Sequence, residues 1–207
     1  MSPLPRAYFN RPTLEVATSL LGKYLVRETG SSLFAGMIAE VEAYIGPEDL
    51  ACHASKGRTK RTEVLFGPPG TAYVYLIYGM YHCLNVVTER KGFPAAVLIR
   101  AIEPDRSSAI QPEESRGRVS ALIDGPGRVC RSFHIDLELN RWDLTRGERL
   151  WLEDRGQKVH PSHFTASPRI GVDYAGEWAA KPWRFRLNQY VSRIDRRINR
   201  TRRLKIR

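Results

Sequence analysis

The spacing of apolar positions divides the chain into short elements. A helix is predicted between Pro12 and Gly22, where apolar residues recur every three or four positions. Lys23–Arg27 and Leu33–Ile45 have the composition of strands. Further strands are predicted at Ala95–Ile102, which Pro104 ends, at Arg149–Glu153 and at Trp183–Leu187, and a short helix is predicted at Arg128–Phe133.

Two β-rich runs stand out in the middle of the chain. Ala72–Ile77 and Tyr81–Thr88 flank the short segment Tyr78-Gly79-Met80. A glycine between two such runs predicts a tight turn, and the two strands should therefore pair as a β-hairpin.

The order of these elements indicates a fold class. Many short strands, few helices and no β-α-β alternation favour one α+β domain on a curved, mostly antiparallel sheet, with a protruding hairpin and short flanking helices. We expect this domain to span residues 1–190, with an exposed loop at Asp105–Arg118 and a separate C-terminal tail from residue 191 to residue 207.

The strand Leu33–Ile45 carries two carboxylates on one face. Strict alternation places Met37, Ala39, Val41, Ala43 and Ile45 on an apolar face, and Glu40, Glu42 and Tyr44 on the other face together with Ile38. Carboxylates two residues apart repel each other and are poor strand formers. A cleft that uses one of them explains the pattern, and so does an edge that faces solvent.

Charge narrows the classes of partner. The 207 residues have a net charge of +11, of which the tail at 191–207 carries +7. Such a basic block binds nucleic acid first and an anionic membrane second, or it only keeps the protein soluble. Within the tail, Arg196, Arg197 and Arg200 are candidate DNA contacts.

Cysteine and histidine usage predicts neither a disulfide nor a metal. Cys52, Cys83 and Cys130 form no CxxC pair and are expected to be buried thiols in a reducing compartment. His160 and His163 form an HxxH without nearby acids or cysteines. The N-terminus has no apolar leader and no run is long enough to span a membrane, so we expect a cytoplasmic protein, nucleoid-associated in a prokaryote.

The hairpin is rich in tyrosine. Tyr73, Tyr75, Tyr78 and Tyr81 fall within nine residues. Ordinary sheet packing accounts for most of them, because tyrosine is common in strands. Tyr78 and Met80 lie at the turn, where the core cannot cover them, and exposed apolar side chains on a basic protein suit insertion between base pairs.

Seven motifs in order, over most of Leu4 to Leu187, resemble the alkyladenine (3-methyladenine) DNA glycosylase family. The matching runs are Glu40–Asp49 with His53, Pro69–Tyr81, Asn85, Val97–Pro104, Asp124–Cys130, Ser167–Gly171 and Lys181–Phe185. Residues 105–118 and the tail lie outside the matching motifs.

The resemblance implies a role for each residue in the reaction. Glu42 would be the general base that deprotonates the attacking water, and Arg100 would lie behind the water and Glu42. Tyr44 and Tyr75 would sandwich the flipped base, while the backbone at His53 would read its edge.

Three more residues would handle the duplex and the choice of base. Tyr78 would fill the gap left in the duplex, and Met80 would help to wedge the minor groove. Asn85 would crowd the exocyclic amine of normal guanine, although an asparagine in this strand could also only satisfy backbone groups.

The implied activity is that of a monofunctional glycosylase in base excision repair. It would act as a monomer on double-stranded DNA that contains 3-methyladenine, 7-methylguanine, hypoxanthine or ethenoadenine, without metal or organic cofactor. The Glu42 and tyrosine motifs contain no lysine that could act as an amine nucleophile, so no lyase step is expected.

Two other classes of function fit part of the sequence. A non-catalytic basic nucleic-acid-binding protein would account for the charge and the tyrosines, but not for Glu42 and Glu48-Asp49 on a surface that meets phosphate. A hydrolase of free nucleosides or sugars would account for a catalytic carboxylate, but not for the hairpin tip or the tail.

Overall fold

The structure is a computed structural model that describes residues 2–105 and 122–190. Within these ranges one antiparallel sheet contains the strands β1 (Tyr24–Thr29), β2 (Ser32–Ile45), β3 (Ala72–Ile77), β4 (Tyr81–Val87), β5 (Ala95–Pro104), β6 (Ile123–Asp124), β7 (Leu150–Glu153), β8 (Phe164–Ser167) and β9 (Arg184–Leu187). The α-helices are α1 (Arg6–Phe9), α2 (Thr13–Leu20) and α3 (Pro126–Ser132). The remaining helical segments are short 3₁₀ turns.

The long strand β2 lies at the centre of the sheet. The strand order is β3-β4-β5-β2-β1-β7, and β5 pairs with β2 along one edge from Gly36 to Ile45. The other edge of β2 pairs first with β1 and then, around Glu40–Glu42, with β9. This arrangement confirms the predicted α+β class and the mostly antiparallel sheet, and it places the carboxylates of β2 between two neighbouring strands.

The short helices α2 and α3 pack against the sheet. Helix α2 packs on β2, and α3 packs on β4 and β5. Val16, Ala17 and Leu20 of α2 are fully buried, as the predicted helical spacing requires. All three cysteines are buried free thiols, as expected.

One feature of β2 departs from strict alternation. The pairing with β5 shifts between Ile38 and Val41, so Ala39 has no partner residue there and forms a bulge. Ile38, Met37 and Ala39 all belong to the main hydrophobic core, so β2 is apolar and buried where the bulge interrupts its pairing.

The predicted hairpin is formed by β3 and β4. Its register runs from Ala72 opposite Val86 to Ile77 opposite Tyr81, and the Met80 N–H donates to the Ile77 carbonyl at 3.2 Å. Tyr78 and Gly79 have φ values of 54° and 69°, the positive values that a type I′ turn requires. Glycine adopts this conformation freely, whereas a residue with a Cβ pays about 1–2 kcal/mol.

Several short elements were not predicted. Helix α1 and strands β6 and β8 are additional, and β5 continues past Ile102 to Pro104. Strand β8 is only four residues long and pairs with β9, so its conformation depends on a remote partner more than on its own composition. The segment 106–118 of the predicted loop and the tail 191–207 lie outside the described residues. Within 2–105 and 122–190, no helix has the length and apolar character needed to cross a bilayer.

Candidate active site

A cavity of about 130 Å³ opens between β2, β3, β4 and the segment around residue 171. Five of the predicted site residues line it: Tyr44, His53, Tyr75, Asn85 and Arg100. Residues outside that prediction complete the wall: Ala51, Cys52, Leu65, Tyr73, Ile77, Cys83, Ala96, Leu98, Pro126, Ile170, Gly171, Val172 and Tyr174. The structure thus brings together residues that are far apart in the chain.

Glu42 lies directly behind the cavity wall. Its side chain is 0% exposed, and three donors fix the carboxylate. Oε1 accepts the Ile170 N–H at 2.8 Å, while Oε2 accepts the Tyr44 hydroxyl at 2.8 Å and an Arg100 N–H at 3.2 Å. All three partners line the cavity, so the carboxylate is one residue layer away from it.

Glu40, the second carboxylate of this face, is held by three guanidinium groups. Arg186 and Arg184 of β9 contact it at 2.5 Å and 3.3 Å, and Arg100 contacts it at 3.2 Å. Both carboxylates are buried, so the interpretation of this face as a solvent-exposed edge is wrong. The surrounding cations also explain why two carboxylates two residues apart coexist in a strand.

Arg100 connects the two carboxylates. Its Nε contacts Glu40 and its Nη1 contacts Glu42, from the neighbouring strand β5. Burial by itself would lower the pKa of Arg100, but Glu42 and Glu40 raise it above its ordinary value. The guanidinium is therefore a permanent positive charge beside Glu42.

Tyr44 donates to Glu42 and is held from behind by Arg169. Burial, together with the Glu42 carboxylate, raises the pKa of Tyr44 well above its ordinary value, so the hydroxyl stays protonated as a donor. The Arg169 guanidinium lies 4.7 Å from the Tyr44 ring centroid and forms a fully buried bidentate ion pair with Asp49, at 2.6 and 2.8 Å. Asp49 is buried and paired with Arg169, so it does not repel phosphate at the surface. Asp49 is therefore no evidence against binding of nucleic acid.

His53, Tyr73 and Tyr75 form an aromatic cluster in the cavity wall. The His53 Nδ1 is 2.9 Å from the Tyr73 hydroxyl, and its ring lies edge-on to Tyr75 with centroids 4.6 Å apart. Burial, with smaller contributions from Arg61 and Lys56, lowers the pKa of His53 to about 4. The imidazole is thus neutral at pH 7, which suits a wall that meets an uncharged or cationic ring.

Asn85 both lines the cavity and binds a backbone group of the neighbouring strand. It is buried in β4 and lines the cavity, and its amide nitrogen donates to the Tyr73 carbonyl at 3.2 Å. The backbone contact fixes the orientation of the amide, while the residue still forms part of the cavity wall.

Tyr78 and Met80 lie apart from the cavity, at the tip of the hairpin. Their exposed fractions are 81% and 64%. Tyr78 has a strained backbone conformation, and its side chain is mostly exposed. Packing against the described residues therefore does not explain why a tyrosine occupies this position.

The two histidines of the HxxH sequence do not line this cavity. His160 and His163 are exposed on a 3₁₀ turn with ring centroids 5.9 Å apart. Arg196, Arg197 and Arg200 lie outside the described residues.

The sequence predicted no partner for five charged residues that shape the site: Glu40, Asp49, Arg169, Arg184 and Arg186. Each was within or next to a motif, but its partner is remote, as in the pair of Asp49 and Arg169, 120 residues apart. Only the basic residues at alternate positions of β9, opposite the two acidic positions of β2, could have suggested a pairing.

Comparison with known proteins yields a family and close relatives. Residues 7–191 match the family described as methylpurine-DNA glycosylase. A protein of Methanocella arvoryzae is 53% identical over 89% of this chain and 92% of its own length. Proteins of Myxococcus xanthus and Legionella pneumophila (strain Corby) are 50% and 48% identical over 93% of this chain and 95% and 100% of their own lengths. All three are named "Putative 3-methyladenine DNA glycosylase".

Proposed function

This chain belongs to the methylpurine-DNA glycosylase family, and we propose that it flips damaged purines out of duplex DNA and hydrolyses their N-glycosidic bond with a water activated by Glu42. Membership makes it a DNA glycosylase of base excision repair. The substrates, the catalytic base and the hydrolytic, lyase-free course of the reaction are the proposed part.

The observation that carries the proposal is the coordination of Glu42. A carboxylate has about four acceptor positions. The protein occupies three of them with the Ile170 N–H, the Tyr44 hydroxyl and Arg100, all of which line the cavity. One position is left for a water among these partners. A buried carboxylate with one free acceptor site is suited to orient that water and take its proton.

The same carboxylate can stabilise the sugar. Cleavage of an N-glycosidic bond builds positive charge on the deoxyribose, as in glycoside hydrolysis. A fixed negative charge in a water-poor site opposes that charge more strongly than it would in bulk water. Arg100 contacts Glu42 at 3.2 Å and so fixes the position of the carboxylate before the substrate binds.

The cavity walls can hold a planar base. Tyr44, Tyr75 and His53 all line it, and Tyr44 and Tyr75 would stack on the two faces of the flipped base. Flipping costs roughly a few kcal/mol, and stacking on aromatic side chains returns about 1–3 kcal/mol per base. The neutral His53 adds no charge repulsion against cationic 3-methyladenine or 7-methylguanine.

The leaving group sets the order of substrates. An alkylated, cationic purine departs as a neutral base without acid assistance, so 3-methyladenine and 7-methylguanine should be released fastest. Hypoxanthine and ethenoadenine are neutral and leave more slowly, because they need a proton on the base. Among the described residues that line the cavity there is no lysine, which favours a monofunctional enzyme over one that also cleaves the strand.

Binding to the duplex is assigned to the hairpin tip and the tail. Tyr78 would fill the space that the flipped nucleotide leaves, with Met80 in the minor groove. Arg196, Arg197 and Arg200 of the tail would neutralise phosphates and supply affinity that is independent of sequence. We also propose that the active form is a monomer.

The test uses a duplex with hypoxanthine in a 5′-labelled strand. The purified protein should leave abasic sites, seen as a single cleavage product after alkali treatment and as no cleavage without it. A matched duplex with adenine at the same position should stay intact. Cleavage without alkali would reveal a lyase, release of base from free inosine alone would reveal a nucleoside hydrolase, and binding without any base release would reveal a non-catalytic DNA-binding protein.

A further inference from the structure

The loop that follows β8 exposes two large apolar side chains at the edge of the cavity. Tyr174 is 70% exposed and Ile170 is 51% exposed, and both line the cavity wall. Neither has a role in the reaction described above beyond the backbone N–H of Ile170. Within the described residues, most large apolar side chains that are exposed lie on this loop or on the hairpin: Leu76, Tyr78, Met80, Tyr81, Ile170 and Tyr174. This concentration marks the rim of the cavity as a contact surface.

Buried neighbours and hydrogen bonds fix the backbone of this loop, so Tyr174 is exposed on an ordered segment. Val172 and Ala175, on either side of Tyr174, are buried in a small core with Ala51. The Ala175 N–H donates to the Val172 carbonyl at 2.9 Å, and the Arg169 guanidinium binds the Trp178 carbonyl at 3.1 Å. An aromatic side chain on a fixed backbone loses little conformational entropy when it binds a partner.

Tyr174 lines the same cavity as Ile77, the last residue of β3 before the hairpin tip. The loop and the hairpin therefore both contribute to the wall of the cavity that a flipped nucleotide would enter.

The charges around Tyr174 indicate which part of DNA it meets. Asp173 and Glu177 are exposed on the same segment, and acidic side chains repel phosphate. The surface is therefore unsuited to the phosphate backbone. The ring of Tyr174 and the side chain of Ile170 offer apolar area, which matches the faces of deoxyribose and base.

We propose that Tyr174, supported by Ile170, packs against the sugar or base of the damaged strand next to the flipped nucleotide. The inference rests on the proposed base-flipping function. It assigns different partners to the two tyrosines, because Tyr78 occupies the space inside the duplex, whereas Tyr174 holds the damaged strand itself.

The experiment compares the two tyrosines on duplex and on single-stranded oligonucleotides that contain ethenoadenine. Tyr174→Ser should weaken binding of both forms about tenfold, which corresponds to about 1.4 kcal/mol, because the damaged strand is present in both. Tyr78→Ser should weaken binding of the duplex only, since a single strand has no stacked gap to fill. Tyr174→Phe keeps the ring and should bind as the parent does.

Controls separate this role from folding and from the proposed function. Leu137→Ala removes another exposed apolar side chain, one that does not line the cavity, and should leave both affinities unchanged. Thermal unfolding of Tyr174→Ser should match the parent, because the side chain is mostly exposed. Unchanged affinity of Tyr174→Ser for both forms, or a loss on the duplex alone, would overturn the proposal. If the parent itself released no base from the duplex, the proposed function would fail instead.

A second measurement locates the contact. Single strands shortened one nucleotide at a time from either end should lose the difference between the parent and Tyr174→Ser when the contacted neighbour is removed. A difference that persists in a strand with no neighbour on either side would place Tyr174 against the flipped nucleotide itself, and this would contradict the proposal.

Discussion

Glu42 and Tyr78 are at opposite extremes of burial within one proposed site. Glu42 is completely buried, and three donors from three parts of the chain fix its position, whereas Tyr78 is 81% exposed and has a strained backbone at a hairpin tip. The first residue has its partners within the protein and is preorganised for chemistry. Among the described residues, none forms a hydrogen bond with the side chain of Tyr78, and this leaves the ring free to meet a macromolecule.

The comparison predicts that the two regions fail in different ways. A change at the buried end should reduce the rate of bond cleavage or the stability of the fold, and should leave the binding of DNA intact. A change at the exposed end should reduce the population of flipped nucleotide, and should leave the fold intact.

The largest effect is expected for Glu42→Gln. The amide keeps the size of the side chain but cannot take a proton from water, so single-turnover excision should fall by about 10²–10⁴-fold. Affinity for lesion DNA, measured by gel shift, should stay within a few-fold of the parent. Glu48→Gln, an exposed change in the next turn of the chain, serves as the control and should retain full activity. Excision by Glu42→Gln within tenfold of the parent would remove Glu42 from the catalytic role.

Local sequence patterns located two parts of the candidate site, whereas the roles of His53, Tyr75, Asn85 and Arg100 came from the family resemblance. Alternation in β2 placed Glu42 and Tyr44 on one face, and a glycine between two β-rich runs located the hairpin tip. Both signals are local, because they depend on side-chain period and on turn geometry.

The ion pairs that hold those residues in place could not be predicted from the sequence. The ion pair of Asp49 and Arg169 and the pairing of Glu40 with Arg186 join positions more than a hundred residues apart. They depend on which strands become neighbours, and β8 becomes a strand only where β9 is present. The bulge at Ala39 likewise arises from the pairing of β2 with β5, which the sequence of β2 alone does not specify.

The next effect concerns the pH dependence of stability at the buried end. Burial lowers the pKa of His53 to about 4, whereas the unfolded chain has an ordinary value near 6.5. Between these values the unfolded state binds more protons, so stability decreases as the pH falls from about 6.5 towards 4, by up to about 3 kcal/mol. Urea unfolding at several pH values should show this slope in the parent and a shallower one in His53→Gln.

A matched change separates this effect from general acid denaturation. His160 is exposed on a 3₁₀ turn, so His160→Gln should keep the parental slope. Equal slopes for the parent and His53→Gln would mean that the imidazole is as easily protonated in the fold as in the unfolded chain.

At the exposed end, Tyr78→Asn separates function from strain. Asn-Gly is the preferred pair for a type I′ turn, so this variant should be at least as stable as the parent in thermal unfolding. It lacks the ring that fills the duplex, so the fluorescence of flipped ethenoadenine should fall and lesion affinity should drop about thirtyfold. Tyr78→Phe keeps the ring and should retain both. If Tyr78→Asn keeps the parental fluorescence and affinity, Tyr78 is not the residue that fills the gap.

The smallest effect is expected at Asn85, which lies between the two extremes. It is buried like Glu42, but it forms the wall that a base would touch, and its amide is oriented by the Tyr73 carbonyl. Asn85→Ser shortens the side chain and leaves room for the exocyclic amine of guanine, so release of undamaged guanine relative to 7-methylguanine should rise, by about tenfold at most. Base release from undamaged and methylated duplexes, measured together with thermal stability, distinguishes the two roles of the amide. A variant that loses stability but releases guanine at the parental rate would show that the Asn85 amide serves only its hydrogen bond to the β3 backbone. A variant that folds normally and releases more guanine would make Asn85 a determinant of which purines the site accepts.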